Sequence, residues 1–221
     1  MSKSSKLIEL RARIQQHLSA PPAQHRAYLE TGVPSLDKLL AGGLWKGGIV
    51  ELTCEAKTSG ASFLMRTILR HAAKEGRWSA LIDGSDSFDP QSAGAQMLKN
   101  LLWIRCKKAG DAIRSVDLLL RDGNLPLLFL DLRGNPATEL AAISSSNWYR
   151  LQRAIEPTSV ALVALTPRPL IMCADVRLLL EGHFKLASLD DEQEVLLPQL
   201  SLSISRKRSA TRWTEQMEAA V

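Results

Sequence analysis

The chain has 221 residues, of which 45% are hydrophobic and 23% charged, and its formal net charge is +5. This composition is typical of a folded globular protein and excludes a disordered chain, and the length predicts one sizeable domain with small appendages. No apolar run approaches the roughly 20 residues of a membrane-spanning helix, and the amino terminus lacks the apolar core of a signal peptide. We therefore expect a cytoplasmic protein with no membrane contact.

Cysteine and histidine usage gives no indication of a redox or metal centre. The three cysteines, Cys54, Cys106 and Cys173, are far apart and lie in apolar segments, so we expect reduced core residues and no disulfide framework. The four histidines show no spacing with cysteine or carboxylate that would build a zinc or iron site. The sequence therefore predicts no metal and no cofactor.

Residues 1–26 predict an amphipathic helix followed by a linker. Between residues 6 and 18 the apolar positions recur at steps of three and four: Leu7, Leu10, Ile14 and Leu18. Such spacing forms an apolar stripe on one helix face, and Pro21 and Pro22 then end the helix and stiffen the linker. An isolated helix of this length is marginal in water. The stripe must therefore dock, either on its own domain or on another protein.

From residue 31 onwards, short apolar strands alternate with helices of about a dozen residues. Strands are predicted at 49–53, 78–83, 101–106, 125–131 and 159–165, and helices at 61–75, 90–98, 110–121 and 138–154. This alternation predicts a three-layer α/β/α domain with a mostly parallel central sheet. After residue 165 the apolar pattern has period two without helices, which favours antiparallel edge strands. The domain is predicted to span residues 27–205.

Both ends of the chain are basic. Residues 1–26 carry five lysines and arginines against one glutamate, and the predicted tail, residues 206–221, opens with Arg206, Lys207 and Arg208. Basic termini attract phosphate backbones, because each neutralised phosphate releases a counterion. Two interpretations stay open: solvated termini, or weak DNA binding through the three cations of the tail.

Residues 50–69 read as a buried strand, a polar loop and an amphipathic helix, which is the frame of a nucleotide-binding P-loop. A working loop needs glycines, a lysine for the terminal phosphates and a hydroxyl for magnesium. Here Gly60 and Ser62 supply a glycine and the hydroxyl, but Ala61 replaces the lysine. The lost ammonium is worth about 4 kcal/mol at a partly exposed site, or nearly three orders of magnitude in affinity. We expect no ordinary ATP binding, unless Lys57 folds back onto the phosphates.

Four segments in this order resemble the core of RecA recombinases over approximately residues 31–166: "TGVPSLDKLLAGGLWKGGIVELT", the degenerate loop, "SALIDGSDSFDP" and "LPLLFLDL". The matched positions are Thr31, Gly32, Leu36, Asp37, Gly42 and Gly43, followed by Ile82, Asp83, Phe88, Asp89 and Pro90. The resemblance implies that Asp131 is the Walker B aspartate and that the water-activating glutamate falls on Ser85. Lys57, Gly60, Ser62 and Asp131 would then form a vestigial phosphate site. Alternatively, Asp83 and Asp131 simply cap the turns that follow their strands.

The connections after the strands at 125–131 and 159–165 are short. They contain Arg133 and Arg168 as their only cations and no aromatic residue on which a base would stack. In RecA proteins the corresponding loops grip single-stranded DNA. We therefore do not expect a filament-forming recombinase. Trp148 and Tyr149, with Arg150 and Arg153, form the nearest aromatic and basic cluster, and we expect these helical aromatics to be core residues and not a nucleic-acid contact.

A RecA-like chain of this length without the ATP machinery, whose last strand is followed by basic residues in "LSLSISRKR", resembles the ImuA family, as does the segment from residue 101 to 134. The resemblance implies a non-catalytic adaptor for translesion synthesis in the SOS response to DNA damage. Its partners would be an ImuB-like polymerase-family protein and an error-prone polymerase, together with RecA or a second copy of the chain, and the stripe of Leu7, Leu10, Ile14 and Leu18 would be the contact. Two alternatives stay open: an ATPase that uses Lys57 and Asp131, and a SulA-like cell-division inhibitor.

Overall fold

A computed structural model describes residues 27–54, 60–182, 197 and 200–207. Several predicted features lie outside these residues: the amino-terminal helix with Leu7, Leu10, Ile14 and Leu18, the loop lysine Lys57, and the tail residue Arg208. No helix in the described ranges is long and apolar enough to cross a membrane.

The architecture is a seven-stranded sheet with helices on both faces. Its strands are β3 (Gly48–Thr53), β4 (Ser79–Asp83), β5 (Leu101–Arg105), β6 (Leu127–Asp131), β7 (Ala161–Thr166), β8 (Val176–Glu181) and β9 (Ser201–Lys207). Across the sheet they lie in the order β5, β4, β6, β7, β3, β8, β9. All neighbouring pairs are parallel except β8 with β9. A small separate ladder pairs β1 (Tyr28–Leu29) with β2 (Leu44–Trp45).

The helices divide the apolar residues between two cores, one on each face of the sheet. They are α1 (Pro34–Leu39), α2 (Ala61–Lys74), α3 (Ala95–Leu98), α4 (Ala109–Asp122), α5 (Ala137–Ala142) and α6 (Ser145–Ile155). Leu64 and Ile68 of α2 pack with Phe129 on one face, and Val116 of α4 packs with Leu130 on the other. Strands β3, β4, β6 and β7 are buried along their whole length, as a parallel sheet covered on both faces requires. The predicted three-layer α/β/α class is confirmed.

Two predicted helices are shorter than their sequence patterns indicate. The helix predicted at 138–154 is divided into α5 and α6, because Ile143 and Ser144 have extended backbones and Ser144 precedes the first turn of α6. The helix predicted at 90–98 is a 3₁₀ turn, Gln91–Ala93, followed by α3. Gly94 separates them with φ 81°.

The predicted antiparallel edge strands are confirmed by the pair of β8 and β9, but β8 also has a parallel neighbour that its pattern does not indicate. This strand lies parallel to β3, with Val50 opposite Val176. Residues 167–175 must therefore run back from the carboxyl end of β7 to the amino end of β8. Buried Glu51 of β3 holds this crossing segment. Its Oε1 accepts hydrogen bonds from the backbone N–H groups of Leu170 (2.6 Å) and Ile171 (3.1 Å), and its Oε2 accepts one from Arg177 Nε (2.6 Å).

The carboxyl-terminal strand extends beyond the predicted domain boundary. β9 ends at Lys207, and Arg206 and Lys207 pair with Arg177 and Val176 of β8. These two cations therefore belong to the sheet and not to a tail that begins at residue 206. The reason is that the period-two pattern of β9 continues into charged residues, which an edge strand tolerates.

The prediction that the cysteines are core residues is confirmed, because Cys54, Cys106 and Cys173 are all buried. Burial raises the pKa of the Cys106 thiol, against the lowering effect of a contact with Ser115. The expectation of a core position is confirmed for Trp148, which is 3% exposed and lies in the second core, and is wrong for Tyr149, which is 47% exposed.

Candidate functional site

The carboxyl ends of the parallel strands bring the predicted site residues to one edge of the sheet. β3 ends at Thr53, next to Cys54, and β6 ends at Asp131. Gly60 directly precedes α2. Gly60 has the left-handed φ of 81°. This is the edge at which open α/β sheets bind ligands.

Ala61, at the position where the sequence pattern expects the P-loop lysine, lies in the hydrophobic core. Ala61 begins α2, is 1% exposed, and packs in the first core cluster. Its methyl group supplies apolar contact and no charge, and α2 has no cationic side chain among its first four residues. The amino-terminal end of α2 therefore lacks the cation that would neutralise terminal phosphates.

A cation that does reach this edge is Arg133, which follows Asp131 by two residues. Its Nε donates to Asp131 Oδ1 at 3.0 Å, and its Nη2 donates to Asp131 Oδ2 at 2.6 Å. The backbone N–H of Arg133 also donates to Asp131 Oδ1, at 3.0 Å. The same Nη2 donates to Ser62 Oγ at 3.0 Å. One guanidinium thus joins Asp131, the predicted Walker B aspartate, to Ser62, the predicted Walker A hydroxyl.

Burial makes this ion pair a fixed part of the structure. The side chains of Arg133 and Asp131 are 21% and 7% exposed. Burial by itself lowers the pKa of the Arg133 guanidinium, but the hydrogen bonds to Asp131 and its negative charge outweigh burial, and the pKa is raised above its usual value. Arg133 is therefore charged at neutral pH, and both oxygens of Asp131 are engaged.

A magnesium ion does not fit between these groups as they stand. Mg²⁺ at a nucleotide site needs carboxylate and hydroxyl oxygens within about 2.1 Å or through its own water shell. Here both Asp131 oxygens and the Ser62 oxygen accept hydrogen bonds from one guanidinium. A divalent cation would first have to displace Arg133 and overcome the repulsion between the two positive charges.

The second aspartate at this edge, Asp83, caps the turn after β4. Its Oδ1 accepts hydrogen bonds from the backbone N–H groups of Ser85 (3.3 Å) and Ser87 (3.0 Å), and its Oδ2 accepts one from Phe88 (2.8 Å). Asp83 is 1% exposed. Its carboxylate thus stabilises the turn with both oxygens.

Ser85, at the position where the sequence resemblance places the catalytic glutamate, lies in a tightly packed contact between two loops. A Cβ atom added to Gly134 would collide with the Ser85 side chain. The backbone N–H of Gly84 donates to Asp131 O at 2.9 Å, and Asn135 Nδ2 donates to Gly84 O at 2.7 Å. The loops after β4 and β6 are therefore locked together, and a serine hydroxyl cannot replace a carboxylate as the base that activates water.

The first RecA-like motif has a structural role in this chain. Thr31 Oγ1 donates to Asp37 Oδ1 at 2.8 Å, and the Thr31 N–H donates to the same oxygen at 3.0 Å. Gly32 has φ 73°, and a Cβ atom there would overlap the ring of His71 on α2. These matched residues therefore hold the segment before α1 against α2.

The structure unites some predicted site residues and separates others. Ser62 and Asp131 are joined through Arg133, and Gly60 precedes them at the start of α2. Arg206 and Lys207 pair with the first residues of β8. They therefore lie at the amino ends of the parallel strands, whereas Asp131 lies at a carboxyl end. The role of Arg133 was missed, because only the turn after β6 brings its guanidinium back onto Asp131. An arginine two residues after a strand-ending aspartate is the signal that indicates it.

Comparison with known proteins agrees with the fold. Over 105 residues, the chain is 30% identical to the RecA proteins of Nostoc sp. and Trichormus variabilis. Over this span the chain is similar to RecA proteins. The match covers 47% of this chain and 29% of the length of each relative, and no protein-family profile matches the chain.

Removal of the Arg133 side chain should destabilise the protein substantially. In Arg133→Ala, Asp131 loses its ionic partner while buried, and loss of one member of a buried pair costs about 3 kcal/mol in the free energy of unfolding. Urea denaturation measures the loss. Additional replacement of Asp131 by asparagine should recover part of it, because the unpaired charge is then gone.

The matched control is Arg105→Ala. Arg105 forms an exposed ion pair with Asp86 through two hydrogen bonds, and exposed pairs contribute little to stability. If Arg133→Ala lowers the free energy of unfolding no more than Arg105→Ala does, Arg133 is not a structural cation of this site.

Proposed function

We propose that the chain is a non-catalytic RecA-like adaptor of the DNA damage response that assembles or regulates a translesion-synthesis complex, the mutasome, through protein–protein contacts. The observation that supports the non-catalytic part is the guanidinium of Arg133, which joins Asp131 to Ser62. A RecA-type ATPase needs both of these residues for its metal ion and substrate.

Three separate features oppose nucleotide hydrolysis in this proposal. The missing lysine at Ala61 removes about 4 kcal/mol of phosphate stabilisation. The ion pair of Arg133 with Asp131 must be broken before a metal ion enters. The base that would orient water is replaced by Ser85. These features act on phosphate binding, on metal binding and on proton transfer respectively. A substitution that removed any one of these obstacles would therefore leave the other two in place.

The adaptor role is supported by the sequence resemblance to the ImuA family and by the RecA-like core that lacks these groups. In this proposal the partners are an ImuB-like polymerase-family protein and an error-prone polymerase, with RecA or a second copy as further contacts. The amino-terminal stripe of Leu7, Leu10, Ile14 and Leu18 is the first contact that the sequence offers. Apolar side chains clustered on one helix face are typical anchors of protein interfaces.

Nucleotide titration tests the non-catalytic proposal. We expect no saturable binding of labelled ATP with magnesium below millimolar concentration, because the lysine loss alone weakens affinity nearly a thousandfold. A RecA protein measured under the same conditions is the positive control. Micromolar affinity of this chain for ATP, with hydrolysis above the buffer rate, would favour the ATPase alternative.

Co-purification tests the adaptor contact. Leu10→Asp combined with Ile14→Asp should abolish recovery of the ImuB-like protein, because two carboxylates cannot enter an apolar interface without loss of solvation. Gln15→Asp combined with Gln16→Asp adds the same charge to the polar face and should leave recovery unchanged. Thermal melting of both variants should match the original chain. Undiminished recovery with the stripe variant would exclude the stripe as the contact.

A further inference from the structure

Strand β5 is an edge strand of the sheet, and half of its backbone groups are directed away from the neighbouring strand. We call this outer side of β5 the margin. Within the described ranges β4 is its single strand neighbour. Asn100 O accepts from Ser79 N–H and Cys106 N–H donates to Asp83 O, both toward β4. Because backbone groups alternate sides along a strand, the N–H and C=O groups of Leu101, Trp103 and Arg105 point outward.

Apolar side chains lie beside this open margin. Leu102 is 41% exposed and Trp78 is 53% exposed. Ala80 is opposite Leu102 in the register of β4 and β5, so Trp78, two residues earlier, lies on the same face and diagonal to Leu102. An open strand margin flanked by exposed apolar side chains is a template for pairing with another chain.

The other margin of the sheet is built differently. In β9 the exposed positions alternate as Ser201, Ser203, Ser205 and Lys207. Serine and lysine on a margin strand discourage pairing with other chains. The contrast shows that the apolar margin at β5 is a local feature of this one strand.

Positive charge lies at both ends of the apolar margin. Residues 99–108 contain Lys99, Arg105, Lys107 and Lys108 and no aspartate or glutamate. Arg105 is bound to Asp86, and the three lysines are exposed. A chain that pairs with β5 therefore meets apolar side chains at the centre and cations at the two ends.

We propose that the open margin of β5, formed by residues 99–108 together with Trp78, binds an extended acidic segment of a partner protein as an added strand. The outward N–H and C=O groups pair with the backbone of that segment, its central apolar residue packs beside Leu102 and Trp78, and its flanking carboxylates lie against Lys99 and the Lys107–Lys108 pair. Strand addition of this kind combines backbone affinity with side-chain selectivity.

Two other occupants fit the margin less well. A second copy paired through its own β5 in the antiparallel sense would place Lys99 opposite Lys107 and Lys108, and like charges directly opposite are destabilising. A nucleic acid would satisfy the lysines, but its phosphates have no donors for the outward C=O groups of Leu101 and Trp103. An acidic polypeptide satisfies the backbone and the charges together.

This inference deepens the adaptor function proposed above, because it names a second contact surface and the chemistry of its partner. It is independent of the nucleotide site. Binding of ATP by this chain would contradict the non-catalytic proposal but not the proposed binding site at the β5 margin. Failure of the peptide test below would contradict only the proposed binding site.

Hydrogen exchange with a synthetic peptide tests the proposal on the full chain. The probe is a short peptide that alternates valine and glutamate, and a peptide with lysine in place of glutamate is the control. The acidic peptide should slow exchange at the outward amides of Leu101, Trp103 and Arg105. The amides of Leu102 and Ile104, which already face β4, should not change. The lysine peptide should have no effect.

Variants of the exposed apolar residues give the second test. Leu102→Glu combined with Trp78→Glu should weaken binding of the acidic peptide by at least about tenfold, which corresponds to about 1.4 kcal/mol. The matched control is Leu118→Glu, which places one glutamate on the outer face of α4, where Leu118 is 69% exposed, and it should leave binding unchanged.

Four results would overturn the proposal. The first is no saturable binding of the acidic peptide, and the second is equal loss of binding in Leu118→Glu. The third is self-association, measured by sedimentation, that disappears in the Leu102→Glu and Trp78→Glu variant, because a second copy would then occupy the margin. The fourth is protection of the same amides by a single-stranded oligonucleotide and not by the peptide.

Discussion

Buried carboxylates must find cations or hydrogen-bond donors as partners, and in this chain the protein itself supplies them. At Asp131 the partner is the guanidinium of Arg133, held by two side-chain hydrogen bonds and supported by the Arg133 backbone N–H. A nucleotide enzyme leaves such a carboxylate available for a metal ion and its phosphate ligands. The same fold can therefore keep its shape while its ligand site is neutralised internally.

The same principle is repeated elsewhere along the sheet. Asp83 is satisfied by three backbone N–H groups of the turn that follows it. Glu51 is satisfied by Arg177 and by the segment that crosses from β7 to β8, and Asp175 accepts from the backbone N–H of Ile49. Each of these acidic side chains fixes a loop or a strand junction. Their charges stabilise the architecture.

The elements that the sequence predicts well are those with strong local signals. Fully apolar strands such as 127–131 and the amphipathic stretch of α2 specify their own structure, because burial and periodicity act over a few neighbouring residues. The direction of β8 has no such signal, since a period-two pattern is the same in parallel and antiparallel strands. The parallel arrangement involves the ladder of β8 with β3 and the contacts of Glu51 with residues 170, 171 and 177, which join distant parts of the chain. The division between α5 and α6 depends on the extended backbone at Ile143, which the apolar pattern alone does not indicate.

The candidate site shows the same division. The absence of a P-loop lysine at Ala61 and of a carboxylate base at Ser85 is a prediction that motif spacing alone makes from the sequence. The contact of Arg133 with Ser62 joins residues from distant parts of the chain, and its existence depends on how the turn after β6 packs against α2. Long-range pairs of this kind require the folded structure.

The most direct test of the central claim is to observe the Arg133 guanidinium itself by nuclear magnetic resonance. The account predicts a slowly exchanging Arg133 Nε–H signal, shifted by its bond to Asp131, that stays unchanged when magnesium and ATP are added at millimolar concentration. A saturable loss or shift of this signal with magnesium and ATP, together with a bound nucleotide phosphorus signal, would show that the arginine gives way to a metal ion and would contradict the account.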